Sequence, residues 1–261
     1  MSELSSTRPG VIMSAQAELT STEYWDSWWA SRSPELISAA DPQYGGSGWF
    51  LRFMDRACGP LAGRTVVEIG GAMSFRLLSL AKFRNADAVA VDYSAVGLHK
   101  TVELFTLNHT RVNCIQADMF DLTGAYDVTT HWGVLEHQIE VGPFLAKCSD
   151  LTKATMVFSM PNMLAFGAFG WRRYSSSNWK LHILHSNTAI ESECQRHGFD
   201  CRPEFFGPPF FCISPIEKGN AATALLSRAQ VWADRLGRVL PYQYGHRRIS
   251  QNRAFVCRRL S

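Results

Sequence analysis

The sequence predicts an α/β fold in which a mostly parallel sheet carries helices on both faces. From residue 65 to residue 159, short β-branched runs alternate with stretches of helical periodicity. This alternation implies right-handed crossovers between neighbouring parallel strands. The first run, Thr65–Ile69, is followed by two glycines and a helical stretch. That order is typical of a turn that holds a ligand against bare backbone.

The individual elements follow from the same patterns. Predicted strands cover residues 65–69, 88–91, 112–115, 126–130, 155–159 and 253–258, and predicted helices cover residues 49–57, 77–83, 96–107, 141–151, 187–197 and 221–240. Tyr24, Trp25, Trp28 and Trp29 would form one aromatic face of a further helix. We expect a flexible tail at 1–21 and one domain at 22–261, with a helical lid (22–60) and an aromatic insertion (162–184).

The composition favours a folded, cytoplasmic protein. Hydrophobic residues make up 46% of the 261 residues and charged residues 19%, which suits one enzyme-sized domain. The seven cysteines form no CxxC pair, and we expect them to be reduced thiols. No signal-type pattern begins the chain, and no apolar stretch is long enough to span a bilayer. We therefore expect no membrane partner.

The C-terminal part is basic, with eight arginines and one acid from Arg228 onward. Such a segment could contact phosphate or nucleic acid, or it could be the solvated rim of a last helix and strand. Aromatic residues are not interleaved among these arginines as they are in many RNA-binding grooves. We therefore favour the solvated rim and expect no nucleic-acid partner.

The turn after the first strand carries an acid, Glu68, followed by Ile69, Gly70 and Gly71. A carboxylate there would repel a pyrophosphate but would tolerate a cationic ligand such as a sulfonium with an ammonium group. This disfavours a nicotinamide-dependent oxidoreductase. A tight strand-to-helix turn without a ligand is the alternative.

Two further acids follow later strands. Asp92 ends the second strand before Tyr93, where a carboxylate can accept hydrogen bonds from both ribose hydroxyls of an adenosine. Asp118 follows the third strand and precedes Met119, where it could accept from an adenine amino group. A helix cap at Asp92 and a polar loop at Asp118 are the alternatives.

With the fourth segment, residues 126–137, the chain resembles the class I S-adenosylmethionine-dependent methyltransferases, in particular a branch whose fourth strand ends in "VLEH". The resemblance covers about residues 22–215. It implies a seven-stranded sheet of order 3-2-1-4-5-7-6 with the last strand antiparallel, and S-adenosylmethionine across the carboxyl ends of strands one to four. The sequence departs from the family at Ala72 and Ser74, where glycine is usual, and at His131.

The resemblance also implies roles for individual residues. Glu68, Gly70 and Gly71 would border the methionine part of the cofactor, Asp92 would hold the ribose, and Asp118 and Met119 would contact the adenine, which Tyr93 could cover. The backbone of His131 and Trp132 would surround the amino group or sulfonium, and Tyr24 or Trp25 would close over the cofactor. Ser74 is also a candidate cap for the following helix.

Catalysis and acceptor binding rest on weaker patterns. His137 is the candidate general base and His131 the second candidate, although His137 could equally be structural. Phe166, Trp171, His182 and Phe206 are candidate acceptor-binding residues in aromatic segments. Those segments could instead form a contact between two copies of the chain. Asp127 has no clustered partners in sequence, and we expect no metal.

These observations predict a methyltransferase that acts on a small, apolar or aromatic acceptor in secondary metabolism. A methyltransferase for RNA or protein, and a scaffold that binds the cofactor without catalysis, are the alternatives.

Overall fold

The computed structural model describes residues 20–169, 180–209 and 250–260, together with positions 172, 225, 228, 229, 231, 232, 245, 247 and 248. Nearly all of the expected tail (1–21) and most of the expected helix at 221–240 lie outside these residues.

The centre of the fold is a seven-stranded sheet. Its strands are β1 (Thr65–Ile69), β2 (Asp87–Asp92), β3 (Asn113–Gln116), β4 (Tyr126–Trp132), β5 (Thr152–Pro161), β6 (Phe199–Pro209) and β7 (Ser250–Arg259). They lie in the order β3-β2-β1-β4-β5-β7-β6. Strands β1 to β5 are parallel, and β7 runs antiparallel to both of its neighbours. The expected strand order and the antiparallel last strand are confirmed.

Six α-helices of the described residues frame this sheet. They are α1 (Thr22–Ala30), α2 (Trp49–Cys58), α3 (Phe75–Arg84), α4 (Ala95–Leu107), α5 (Val141–Asp150) and α6 (Asn187–Arg196). Serines cap the N-termini of four of these helices. Ser21, Ser74, Ser94 and Ser186 each accept a hydrogen bond from the backbone N–H three residues on. Such caps satisfy N–H groups that have no partner inside the helix.

Alternate strand residues contribute to two separate cores. On one face Val66 and Ala90 pack with side chains of α2, α3 and α4. On the other face Val67 and Val91 pack with side chains of α5 and α6. Successive side chains of a strand point to opposite faces, so a sheet covered on both sides needs apolar residues at nearly every position.

The parallel register brings the carboxyl ends of four strands to one edge of the sheet. Ile69 at the end of β1 pairs with Val91 of β2 and with His131 of β4. Asp92 pairs with Gln116 at the end of β3. The loops that follow these strands therefore lie side by side, and this edge is where open α/β sheets bind ligands.

Two cysteines differ from the expectation of free thiols. Cys201 of β6 and Cys257 of β7 are directly opposite each other in the antiparallel register and form a disulfide. The sulfur of Cys194 on α6 lies 3.8 Å from that of Cys257. Sequence spacing gave no sign of this pair, because 56 residues separate its two members.

Across the described residues, we find no helix that combines the length and the apolar character needed to cross a membrane.

A buried amide fastens the chain between α1 and α2 to the rest of the domain. The side chain of Asn108, which is 2% exposed, accepts hydrogen bonds from the backbone N–H of Ile37 and from Lys82 Nζ. It donates to the carbonyl oxygens of Glu35 and Leu104. Glu35 and Ile37 belong to the segment between α1 and α2, Lys82 to α3 and Leu104 to α4, so the amide joins three parts of the fold at one point.

We expect Asn108→Ala to lower the free energy of unfolding by about 2–3 kcal/mol, because it leaves buried polar groups without partners. Urea unfolding followed by circular dichroism measures this change. Asn113→Ala, at an exposed position of β3, serves as the matched control and should change it by less than about 0.5 kcal/mol. Equal stability of the two variants would contradict the anchoring role.

Candidate functional site

A cavity of about 240 Å³ opens at the carboxyl edge of β1, β2, β3 and β4. Its walls combine the turn after β1, the ends of the next strands and the aromatic face of α1. Residues that line it include Trp25, Trp29, Tyr44, Glu68, Gly70, Asp92, Tyr93, Asp118, Met119, Trp132, His137 and Phe144. Nine of these were singled out from the sequence, and the fold brings them to one place.

The two glycines of the β1 turn have different roles. Gly70 lines the cavity with φ of +68°, and a Cβ there would lie 2.6 Å from a methyl carbon of Val134. Gly71 does not line the cavity. A Cβ on Gly71 would lie 2.9 Å from the carbonyl oxygen of Glu68 and 3.1 Å from Ala90. Gly71 is therefore needed for packing of β1 against β2, and its place beside a ligand stays a prediction.

Hydrogen bonds fix the rest of this turn. Ser74 caps α3 by accepting from Leu77 N at 3.0 Å, as expected, and its hydroxyl donates to Glu68 Oε2 at 2.8 Å. The backbone N–H of Met73 donates to Thr101 Oγ1 at 2.7 Å. Met73 has φ of +48°, a conformation that residues other than glycine rarely adopt. The side-chain contacts hold this backbone in place.

Glu68 is buried at 3% exposure beneath the cavity. Burial raises the pKa of Glu68 to about 7, although the Ser74 hydroxyl and the charge of Arg76 both oppose this change. The carboxyl group is therefore partly protonated at neutral pH. A cation in the cavity would favour its ionised form.

Asp92 joins the end of β2 to the β1 turn. Its carboxylate accepts from Ala72 N at 3.2 Å and from Ser94 N at 2.8 Å. Asp118 lies at the end of β3, where it accepts from Phe120 N at 3.0 Å and begins a short 3-10 turn that holds Met119 in the core. Both acids line the cavity, and both also cap a following turn. Each acid can therefore serve in both ways predicted from the sequence, as a ligand-binding group and as a cap or loop residue.

Helix α1 forms one wall of the cavity. The Ser94 hydroxyl donates to Asp26, which ties α1 to the start of α4. The Trp29 ring lies against Gly97 of α4. A Cβ on Gly97 would come within 2.8 Å of that ring, so the glycine allows α1 to pack closely on α4. Trp25 packs edge-on against His137 with ring centroids 5.4 Å apart. Tyr24, the other candidate, is 39% exposed and does not line the cavity.

Sequence reasoning missed several lining residues, among them Trp29, Tyr44 and Arg76. Trp29 belongs to the aromatic face of α1 that was recognised, but nothing indicated which ring would point inward. Tyr44 comes from the turn-rich segment before α2 and stacks on Phe75 at 6.0 Å. Arg76 lies over the Trp132 ring at 5.1 Å. Only the packing of loops from distant parts of the chain brings these residues together.

The Trp132 indole N–H is buried and makes no hydrogen bond of ordinary geometry among the described residues, but it lies close enough to the Glu68 carboxyl group to lower the pKa of that group. An unpaired buried donor costs free energy, and a donor in a cavity wall is satisfied at little cost when a polar ligand binds. The indole N–H and the Glu68 carboxyl group thus form one polar part of the cavity wall.

His137 lies at the cavity wall and contacts a segment that is distant in sequence. Its Nδ1 is 2.7 Å from the carbonyl oxygen of Leu181, and its ring centroid is 4.8 Å from that of His182. Burial, together with the charge of His182, lowers the pKa of His137 to about 4. The imidazole is therefore neutral at pH 7, and Nδ1 donates its proton to Leu181.

Glu136 precedes His137 and is 2% exposed. Its Oε2 has no hydrogen-bond partner among the described residues. Burial raises the pKa of Glu136 to about 8, even though the charge of Arg253 acts in the opposite direction. The sequence gave no reason to select Glu136 as a site residue, and only its burial in the folded chain distinguishes it.

The structure does not bring His131 to the cavity. Its ring is fully buried, stacked on Phe158 at 4.5 Å and edge-on to Phe144 at 4.9 Å. Burial lowers the pKa of His131 to about 3. Because alternation along β4 points this side chain into the core under α5, His131 is not placed to act as a base. Only its neighbour Trp132 reaches the cavity wall.

The expected acceptor-binding residues do not come together at the cavity. Phe206 is 3% exposed and packs against Trp49 and Phe53 in a core away from the cavity. Phe166 is 72% exposed and does not line the cavity. Trp171 lies outside the described residues. Of the three that the structure describes, His182 comes close to a cavity residue, through its contact with His137.

Comparisons with known proteins identify the fold. No family model matches the chain, and no curated protein matches its sequence. Phosphoethanolamine N-methyltransferase 2 of Haemonchus contortus, solved with S-adenosyl-L-methionine, is 15% identical with a TM-score of 0.59 over 92% of this chain and 58% of that one. Magnesium protoporphyrin IX methyltransferase of Synechocystis PCC 6803, solved with S-adenosylhomocysteine, is 15% identical with a TM-score of 0.53 over 80% of this chain and 79% of that one.

A third solved structure, a sarcosine dimethylglycine methyltransferase described as putative from Galdieria sulphuraria, is 12% identical with a TM-score of 0.54 over 81% of this chain and 84% of that one. At such identities the similarity concerns the fold, which is that of the class I methyltransferases.

We expect Ser74→Ala to lower the free energy of unfolding by about 1–2 kcal/mol, because it removes the cap of α3. Ser74→Gly should cost only a few tenths of a kcal/mol at the cap. Both variants remove the donor to Glu68, and both should raise the pKa of Glu68 further. Urea unfolding and NMR titration of the carboxyl carbon measure the two effects. An alanine variant as stable as the parent would contradict the capping role.

Proposed function

We propose that this chain is an S-adenosylmethionine-dependent methyltransferase and that it methylates a small acceptor. The observation that carries the proposal is the order of three acids along one cavity. Glu68, Asp92 and Asp118 lie after β1, β2 and β3 and all line it. That arrangement suits a ligand with a cationic amino acid part, a ribose and an adenine, in that order.

The chemistry of each wall suits this cofactor. Glu68 offers a buried negative charge to an ammonium or sulfonium group, and the Trp132 N–H offers a donor to a carboxylate. Asp92 can accept from ribose hydroxyls in addition to the backbone N–H groups of Ala72 and Ser94, because each carboxylate oxygen accepts more than one hydrogen bond. Met119 and Tyr93 supply apolar surface for an adenine ring. The solved relatives with bound S-adenosylmethionine or S-adenosylhomocysteine support the assignment.

When bound, S-adenosylmethionine supplies a methyl carbon that is already activated by positively charged sulfur. The chain must then align an acceptor and exclude water. Trp25 and Trp29 on α1 cover the cavity, and Asp26 fixes this helix through Ser94. The aromatic wall and the modest cavity favour a small acceptor over a macromolecule. The acceptor would approach the cofactor beside His137, where the segment around residue 182 contacts the cavity wall.

The proposal is tested by calorimetric titration with S-adenosylmethionine, followed by a screen of phenols, carboxylates, amines and thiols for S-adenosylhomocysteine formation. Binding of the cofactor and turnover of one acceptor class are expected. A thermal shift with NAD but none with S-adenosylmethionine would overturn the proposal. Binding without any turnover would favour a scaffold, and turnover of RNA or protein substrates alone would overturn the small acceptor.

We expect Asp92→Ala to weaken S-adenosylmethionine binding by about 1–3 kcal/mol, because it removes acceptors for the ribose hydroxyls in a buried site. Asp87→Ala, at the exposed other end of the same strand, is the control and should bind normally. Calorimetry measures both affinities. An unchanged affinity of Asp92→Ala would contradict the assignment of the ribose.

Binding should also depend on pH through Glu68. The pKa of Glu68 is about 7 in the ligand-free chain, and a cationic ligand prefers the carboxylate. Affinity should therefore be full above pH 8 and should fall as the pH drops below 7, by up to about tenfold per pH unit. Calorimetry in two buffers of different ionisation heat should show proton release near pH 7. Glu68→Gln should remove both effects, and a pH-independent affinity in the parent would refute this role.

A further inference from the structure

Three side chains next to the cavity form a cluster with the composition of a metal site. Glu136, His137 and His182 each offer a ligand atom, and these atoms lie within 4.8 Å of one another. Ligands bound at about 2.1 Å from one ion lie roughly 3.0–3.4 Å apart, so side-chain shifts of about 1 Å bring the three together. The sequence gave no sign of this cluster, because His182 is 45 positions from His137.

The backbone holds His182 in place from both sides. The Nδ1 of His137 donates to the carbonyl oxygen of Leu181 at 2.7 Å, and the backbone N–H of Ile183 donates to the carbonyl oxygen of Glu136 at 2.7 Å. Two hydrogen bonds thus flank His182 and fix it against Glu136 and His137. The fold has positioned the three groups before any ion binds, which lowers the entropy cost of binding.

The orientation of His137 suits coordination. With Nδ1 donating to Leu181, the lone pair of this neutral imidazole is on Nε2. Metal-ligating histidines almost always donate their other ring N–H to a carbonyl or carboxylate, as His137 does here. The Leu181 carbonyl therefore selects the tautomer that a metal site requires.

Glu136 provides the independent indication that something is bound. Its Oε2 is buried and without a partner among the described residues. The charge of Arg253 acts on Glu136 but no hydrogen bond joins them, because the terminal nitrogens of Arg253 bond to Asn187 and to the carbonyl oxygen of His185, and its Nε has no partner among the described residues. A buried carboxyl oxygen without a partner is costly, and a cation at this position would supply the missing partner.

We propose that Glu136, His137 and His182 bind one divalent transition-metal ion at the cavity wall. Two imidazoles and one carboxylate select zinc, iron, cobalt or manganese rather than calcium. Three protein ligands leave coordination positions open, as in catalytic rather than structural sites. His182 is half-buried, so solvent reaches the cluster at this side chain.

This inference rests on the proposed function and narrows its acceptor to a compound with a hydroxyl group. The hydroxyl oxygen would occupy an open position on the ion, which lowers its pKa, and its proton would pass to water. The oxygen then forms a bond to the methyl carbon as the carbon–sulfur bond breaks. The sulfur keeps the electron pair and becomes the neutral thioether of S-adenosylhomocysteine.

Metal binding can be measured without turnover. The full chain is stripped with a chelator, dialysed, and titrated with Co²⁺ and Zn²⁺ by visible absorption and calorimetry. One equivalent of Co²⁺ should bind with the visible bands of a nitrogen- and oxygen-ligated ion. His182→Ala and Glu136→Gln should each weaken binding at least tenfold. His99→Ala, a histidine on the exposed side of α4, should bind as the parent does.

No saturable binding, or equal binding by the parent and His182→Ala, would overturn the site. If Glu136→Gln fails to fold, His182→Ala carries the test alone, because its side chain is only half-buried. Retained S-adenosylmethionine binding by His182→Ala is expected and separates the two proposals. Metal binding without cofactor binding would overturn the proposed function, and methyl transfer by a metal-free chain would overturn the acceptor role of the ion.

Discussion

The turn between β1 and α3 is held by side chains from three neighbouring elements, and the cavity takes its shape from that turn. Asp92 at the end of β2 accepts from Ala72, and Thr101 of α4 accepts from the backbone of Met73. Ser74 links the turn to Glu68 beneath it. These bonds hold a positive-φ backbone that glycine would adopt at lower cost. Residues with side chains in turn restrict the unfolded chain more than glycines do.

Two buried carboxyl groups give the site its electrostatic character. Glu68 lies under the β1 turn and Glu136 follows β4, and burial raises the pKa of both. Both carboxyl groups are shielded from water, and the hydrogen bonds and charges of their neighbours do not fully offset the cost of ionising them. Such positions are costly for stability and are typical of functional sites. Both proposals assign a cation to one of these acids, an organic cation to Glu68 and a metal ion to Glu136.

The sequence predicted the sheet well because buried parallel strands need apolar residues at almost every position. The predicted β1 agrees with the observed strand, while β5 runs from Thr152 to Pro161 rather than over 155–159. Pairing of Thr152 with β4 extends β5 at its start, and pairing with β7 as far as Pro161 extends it at its end. The prediction for His131 failed for a related reason. Periodicity shows that residues alternate between faces, but it does not say which face borders the cavity.

The sequence alone determined the α/β order of elements and the acids at the ends of the first three strands. Both follow from local rules, since a strand, its turn and its helix cap lie within a few residues. Tertiary structure alone decided which side chains meet across the cavity. Trp29 reaches it because Gly97 lets α1 approach, and His182 meets Glu136 and His137 because the backbone near residue 182 bonds to that turn. Contacts between distant segments depend on packing, which no local pattern records.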